Sequence, residues 1–437
     1  MGEFFAPDDY ENRFSGRLSY TAEDGVELDY FEIVTPAKQH LSPRIANILY
    51  GYLNTGNRCT LFGELSKGIS IPLHGGHSIM HGRQGFPVLV IGGFVSSAKV
   101  YSNVSFTLSG MQEFFTPKKR RNMLKLSPEP LLKAKTSYGT IGIYNTARLS
   151  PLLGIESLVH SDDVTAQQKL INAFKEIKNC YPNSHFESKN DLSHYITISL
   201  NHEKSIKEIL KHVFDIAGLF ALLTCTPVYP ENIDIMTNEQ DDPEILKVYP
   251  TMIREQRTIG LAARENHYVL MPITYSTIDL AKTFEAWHAQ SNAYSVIVSA
   301  IQNETGFRNM HSLHGEIVLY STQLEYISNT RVRAKNEKYD YPLQTYASPK
   351  VRAGLKQLFE KTNKTQTLGE TISDLRNEIA HTKKQKKLLN KLSLQDLADI
   401  ARYLQMTIIA FILTELGIAE ATVEAYQNKF MPKHEYR

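Results

Sequence analysis

Residues 367–417 read TLGETISDLRNEIAHTKKQKKLLNKLSLQDLADIARYLQMTIIAFILTELG, and their spacing predicts two α-helices of one bundle. Thr367 with Glu370, and Ser393 with Asp396, set a hydroxyl and a carboxylate three residues apart, the pairing that satisfies free amides at a helix start. In the first helix Leu368, Ile372, Leu375 and Ile379 fall within about 60° of one another at about 100° per residue, so they share a core face. That helix is predicted to continue past His381. In the second, Leu397, Ile400, Leu404, Ile408 and Ile412 repeat at helical spacing up to Gly417, a residue suited to the left-handed backbone that ends a helix.

The same pattern extends back to residue 276. Ser276 with Asp279 opens a predicted helix to about residue 302. Leu313, Ile317, Tyr320, Leu324 and Ile327 stripe a second, and residues 349–362 form a third. Upstream the period changes. Residues 17–20 and 26–33 flank Asp24-Gly25, a favoured two-residue hairpin turn, and residues 48–53 and 59–62 flank Asn54-Thr55-Gly56-Asn57. Short β-rich runs follow at 88–91, 104–108 and 140–144. The pattern then mixes, with helices at 163–179 and 205–223 and strands at 195–200 and 268–271. The chain therefore reads as α+β: an N-terminal β-rich, sandwich-like domain with a mixed α/β extension, followed by an all-α helical bundle. The expected boundaries are 1–275, in two parts of 1–148 and 149–275, and 276–437.

Composition bounds the class. The chain has 437 residues, 42% hydrophobic and 22% charged, enough apolar material for a real core. Its three cysteines, Cys59, Cys180 and Cys225, are scattered, which argues against a disulfide framework or a CxxC zinc site and fits a reducing compartment. The opening MGEFFAPDDYENR lacks the basic-then-apolar order of a signal peptide, and Ala6 breaks the myristoylation pattern. The run 408–413 is far too short to span a bilayer. A cytoplasmic protein without membrane partners is expected. Charge is uneven: residues 331–391 hold 15 Lys+Arg against 6 Asp+Glu, a net +9, which favours a polyanionic partner.

On the helix that begins at Thr367, Arg376 lies about 70° to one side of the apolar stripe and His381 about 150° round the other way. Asn377 lies opposite the stripe, and Gly369, Ser373 and Ala380 make that face mostly small. Histidine can accept and donate protons near neutrality, and arginine offers a planar fork matched to phosphate oxygens. Together they suit RNA cleavage, in which a base takes the proton of a ribose 2′-hydroxyl and the developing phosphate charge is stabilised. Asn377 can orient the imidazole or the phosphate, and Lys383, Lys384, Lys386 and Lys387 would hold the RNA backbone. No metal ligand cluster or cofactor motif accompanies these residues, so none is expected. Arg376 and His381 diverge on one helix, which predicts at least a homodimer whose two-fold axis brings Arg376 of one chain beside His381 of the other.

The segment RNEIAH, residues 376–381 on a long helix of an all-α domain, resembles the Rx4–6H signature of HEPN ribonucleases. The segment 48–61 with Gly51 and Thr60-Leu61, the strand–helix unit at 195–227 and the junction at 268–287 resemble the N-terminal part of ApeA-type proteins. Leu324-Glu325-Tyr326 resembles the second helix of their HEPN domain. The resemblance implies a bacterial anti-phage effector that cuts RNA, tRNA being the substrate class, without metal, leaving a 2′,3′-cyclic phosphate and a 5′-hydroxyl. It also implies a shared dimeric cleft, Glu325 as a secondary acidic residue of the site, and an N-terminal domain that senses a phage-derived trigger or restrains the nuclease. The competing reading is a non-catalytic HEPN module that dimerises and binds nucleic acid. A third reading rests on His74, His77 and His81, whose H-x2-H-x3-H spacing could bind zinc, although the glycines around them read as a loop. His160 with Asp162 and Asp163 reads as a helix start, Trp287 as bundle core, and Arg331 with Arg333 as a solvated link or RNA contacts.

Overall fold

The computed structural model describes the chain apart from residues 8, 22–23, 35–46, 66–68, 73–76, 117–126, 152–154, 156–159, 185–186, 237–244, 252–270, 304–308, 332–337, 363–365, 382, 384 and 433–437. The described strands are β1 (Gly2–Phe5), β2 (Phe14–Thr21), β3 (Gly25–Val34), β4 (Ile48–Leu53), β5 (Arg58–Phe62), β6 (Ile69–Pro72), β7 (Ser78–Phe86), β8 (Val88–Ile91), β9 (Tyr101–Leu108), β10 (Leu132–Lys135), β11 (Gly139–Pro151), β12 (Glu187–Lys204), β13 (Pro230–Met236) and β14 (Ile245–Pro250). They form one antiparallel sheet in the order β10-β11-β12-β9-β13-β14-β8-β5-β4-β1-β2-β3-β7-β6. Both predicted hairpins are present, Gly25 turning the first at φ +74° and Gly56 lying in the second at φ +85°.

The sandwich-like packing comes from a single sheet that folds over on itself. Just after β14, Thr251 Oγ1 accepts the Val26 amide at 2.9 Å and donates to the Phe86 carbonyl at 2.6 Å, tying β3 and β7 back to β14. The fold encloses a local core of Phe4, Leu28, Leu49, Cys59, Phe86 and Leu89. Strands β1, β6, β7, β10, β13 and β14 are not legible from local pattern; β7 carries two glycines, Gly82 and Gly85, and an arginine among few apolar residues. Of the strand expected at 268–271, only Met271 is described, and it is not in a strand.

The described helices are α1 (Met111–Phe115), α2 (Val164–Cys180), α3 (Ile206–Thr224), α4 (Leu280–Gln290), α5 (Ser295–Gln302), α6 (Met310–Arg331), α7 (Asp340–Tyr346), α8 (Pro349–Glu360), α9 (Leu368–Ala380), α10 (Leu394–Glu415) and α11 (Glu420–Phe430). Helix α3, capped by the Ser205–Glu208 box, is buried almost all round, because it packs on the sheet and on the C-terminal helices at once. Its join to them is polar as well as apolar. Tyr426 donates to the Leu222 carbonyl at 2.5 Å, and the Gln302 side chain closes a pair of bonds with the Val228 backbone at 2.7 and 2.8 Å.

Three helical expectations need correction. The helix expected over 276–302 starts at its Asp279 cap and breaks at Ser291–Tyr294, a 3-10 turn that drives Tyr294 into the core against Trp287 and Phe411. The helix carrying Arg376 stops at Ala380 rather than passing His381. Helices α7 and α11 are additional. Helix α10 has the length and apolar composition of a membrane span, yet it is mostly buried in the bundle, as in a core helix.

Candidate active site

Helix α9 is held at its start by a reciprocal cap, Thr367 accepting from the Glu370 amide at 3.2 Å and Glu370 accepting from Thr367 at 3.0 Å. Asp340, the first residue of α7, takes bonds from the Thr367 hydroxyl at 2.8 Å and the Gly369 amide at 2.9 Å. A Cβ on Gly369 would stand 2.5 Å from that carboxylate. Gly369 is therefore consumed by packing inside the bundle and is not part of an open small-residue face. Ser373 and Asn377 are half-buried and Ala380 is exposed. Ile372 and Leu375 are fully buried, which fixes the rotation of α9.

Arg376 is half-buried. Its Nη1 donates to Asn377 Oδ1 at 3.2 Å, and its Nε is enclosed without a hydrogen-bond partner among the described residues. Asn377 is thus turned to the arginine. Glu325, from α6, forms an ion pair with Lys338, and both Glu325 and Arg376 act on Tyr339, which precedes α7. Burial holds the Tyr339 phenol above its ordinary range; Glu325 adds to this, and Arg376 and Lys338 oppose it. The Lys338 ammonium is raised by its hydrogen bond to Glu325, with Arg376 acting against it. Arg376 and Glu325 consequently share one polar cluster, and Lys338 and Tyr339 belong to it. The latter two carry no sequence signal, because they follow residues 332–337 and reach the cluster only through the fold.

His381 lies beyond the end of α9, exposed, with extended backbone at φ −112° and ψ 112°; its amide donates to the Asn377 carbonyl at 3.1 Å. The angular offset expected for a helical His381 does not apply, since the residue is the cap. The chain then folds back beneath the helix end. Lys386 donates to the carbonyls of Glu378 and His381, the second at 3.2 Å, a cation placed where the helix dipole favours one. Glu378, 4% exposed, accepts the Leu388 amide at 2.8 Å and the Leu389 amide at 3.0 Å. Of the four downstream lysines, Lys386 is engaged on backbone, Lys383 and Lys387 are exposed, and Lys384 lies outside the described residues.

A second histidine stands on this side. His314 of α6 has an enclosed Nε2 with no partner among the described residues; burial, then the charges of Lys386 and His311, hold it below the ordinary histidine range. Sequence reading missed it because His314 falls between core positions Leu313 and Ile317. The arrangement offers a guanidinium with donor capacity to spare on one flank of α9 and an exposed imidazole at its end, a combination suited to binding and reacting at a phosphodiester.

Among the described residues the remaining histidine motif does not gather into a site. His81 pairs with Asp29 at 2.8 Å on the sheet surface, His74 lies outside the described residues, and no group of three metal-binding side chains forms among the described residues. Arg333 also lies outside them, as does the side chain of Arg331. Asp163 caps α2, and Trp287 is buried.

Two family models match the chain. One described as ApeA N-terminal domain 1 covers residues 1–287, and one described as Apea-like HEPN covers residues 278–422. No curated protein and no solved structure matches.

Proposed function

The chain belongs to the ApeA family of proteins with a C-terminal HEPN domain, and from that premise we propose that it is a metal-independent endoribonuclease. HEPN domains are typically ribonucleases. The reading is carried by Arg376, whose Nε is enclosed without a partner among the described residues, on the same helix whose end presents an exposed His381. His381 takes the proton from a ribose 2′-hydroxyl. The 2′-oxygen then bonds to the adjacent phosphorus while the bond to the 5′-oxygen breaks, and the leaving oxygen takes up a proton. The products are a 2′,3′-cyclic phosphate and a 5′-hydroxyl. Arg376 stabilises the charge on the phosphorane oxygens, Asn377 holds the guanidinium, and Glu325 orders it through Lys338 and Tyr339. Lys383, Lys384 and Lys387 provide the backbone contacts.

Because His381 and Arg376 make no contact within one chain among the described residues, the active species is a homodimer that pools them. The exposed Met310, Leu319 and Tyr326 on α6 and the open space around Gly315 support association near this helix. In cells the protein acts in the cytoplasm as an anti-phage effector on RNA, tRNA foremost, and the N-terminal region governs its activation. The test is incubation of the purified protein with total RNA and mapping of the ends, wild type against His381→Ala. Cleavage leaving cyclic phosphate ends, lost in the variant, is expected. RNA binding without turnover by the wild type would establish the non-catalytic module instead.

A further inference from the structure

The seam between α3 and the α4–α5 turn holds a cleft of about 270 Å³ with no α9 residue in its lining. Helix α3 presents Phe214, Asp215 and Gly218 to it. Gly218 lets α5 come close, since a Cβ there would stand 2.9 Å from Val298. On the other side Trp287 donates from its indole nitrogen to the Asp215 carbonyl at 3.1 Å, and the break after α4 turns Ser291 toward the Asp215 carboxyl.

Among the described residues the lining has one ionisable side chain, Asp215, and no lysine, arginine or histidine; hydroxyls and amides, among them Ser295 and Asn303, complete it over aromatic Trp287 and Phe214. Asn303 spends its amide nitrogen on the Ser299 carbonyl at 2.8 Å, while its Oδ1 is enclosed without a partner among the described residues. Burial lifts the Asp215 carboxyl above its ordinary range, against hydrogen bonds from Ser291 and Trp287 and the nearby charges of His288 and Lys211.

We propose that this cleft is a binding site for a small organic ammonium, whose charged head sits on the Asp215 carboxylate and whose carbon skeleton lies along Trp287 and Phe214. A phosphate or carboxylate would meet Asp215 with no lining cation to offset it. A neutral polyol would hydrogen-bond the hydroxyls but leave the partly desolvated carboxylate with no counter-charge beyond His288 and Lys211, which lie outside the lining, a costly arrangement. An ammonium supplies donors and charge together, and aromatic walls favour it further. The cleft lies near the lower end of ligand-pocket volumes, about 300 Å³, so the ligand is compact. Its walls come from α3, within the stretch matched as the N-terminal domain, and α5, within the stretch matched as HEPN. A bound ammonium therefore bridges the two.

Trp287 is the only tryptophan of the chain, so its fluorescence reports on the cleft directly. The experiment titrates the full-length protein with butylamine, and with 1-butanol and butyrate as uncharged and anionic isosteres, at constant ionic strength. A saturable change with butylamine alone is expected, at least about tenfold weaker in Asp215→Asn, the size of losing one charged contact, and absent in Ser295→Phe. Should Asp215→Asn fail to fold by circular dichroism, Ser295→Phe decides, because Ser295 is exposed and its phenyl ring plugs the cleft from the rim. No saturable response to butylamine, an equal response to butanol, or an undiminished response in Ser295→Phe would each overturn the assignment. None of these readouts involves RNA, so the result is independent of the nuclease reading.

Discussion

Replacing Glu378 with alanine is predicted to release the segment that closes the end of α9 and, with it, His381. The carboxylate is 4% exposed and takes two backbone amides, Leu388 at 2.8 Å and Leu389 at 3.0 Å. Leu388 is 1% exposed, so water cannot replace the lost acceptor there. Hydrogen bonds to charged groups contribute about 1.5–3 kcal/mol each. The half-buried Leu389 amide regains some solvent, so the expected loss of stability is about 2–4 kcal/mol. Glu378→Gln keeps an oxygen acceptor without the charge and should cost about half as much. Urea unfolding gives the stability change directly if the slope is unaltered, and hydrogen exchange reads the Leu388 and Leu389 amides one by one. Because Lys386, in the same segment, bonds the His381 carbonyl, cleavage should fall in step with loss of amide protection. An alanine variant whose unfolding midpoint and amide protection match wild type would refute the positioning role.

The His381→Ala variant should stay folded within about 0.5 kcal/mol, since the side chain is exposed, and this is checked by the same urea titration alongside its loss of cleavage. EDTA should leave the cleavage rate nearly unchanged; loss restored by Mg²⁺ or Mn²⁺ would point to a metal-dependent reaction. His314 is held below its ordinary range chiefly by burial, so between its folded value and about 6.5 the unfolded chain binds more protons and stability rises with pH. Its contribution is full above about pH 6.5 and lost as pH falls toward the folded value, so unfolding midpoints of wild type and His314→Gln should converge or cross on going from pH 7.5 to 5. Constant spacing between them would count against it. Ala380→Trp, at an exposed position at the end of α9, should break both association and activity; a fully active monomer by light scattering would rule out the shared cleft.

What could be read from sequence depended on how far away each residue's partner lies. Caps and stripes are local, so Thr367 with Glu370 and Ser393 with Asp396 marked helix starts that the fold keeps. The Ser276–Asp279 reading failed by three residues, because two candidate caps stood close together and only tertiary packing selects Asp279. Helical periodicity likewise fixes which side of α9 is buried, but it ceases to inform where the helix ends. His381 lies at that point. Its orientation depends on Lys386 folding back to the helix carbonyls and on Glu378 binding Leu388 and Leu389. The apolar pair Leu388-Leu389 after a lysine run was the available hint, since a leucine pair must be buried somewhere and brings its amides along. The surroundings of Arg376 were illegible for the same reason, because Lys338 and Tyr339 reach it from another helix. A motif of one arginine and one histidine five residues apart therefore identifies the groups, while the fold determines that one is lodged in a polar cluster and the other left free at a helix end. That division gives the two residues different tolerances: changes around Arg376 must disturb the packing of α6 and α7, whereas changes around His381 need only loosen a short returning segment.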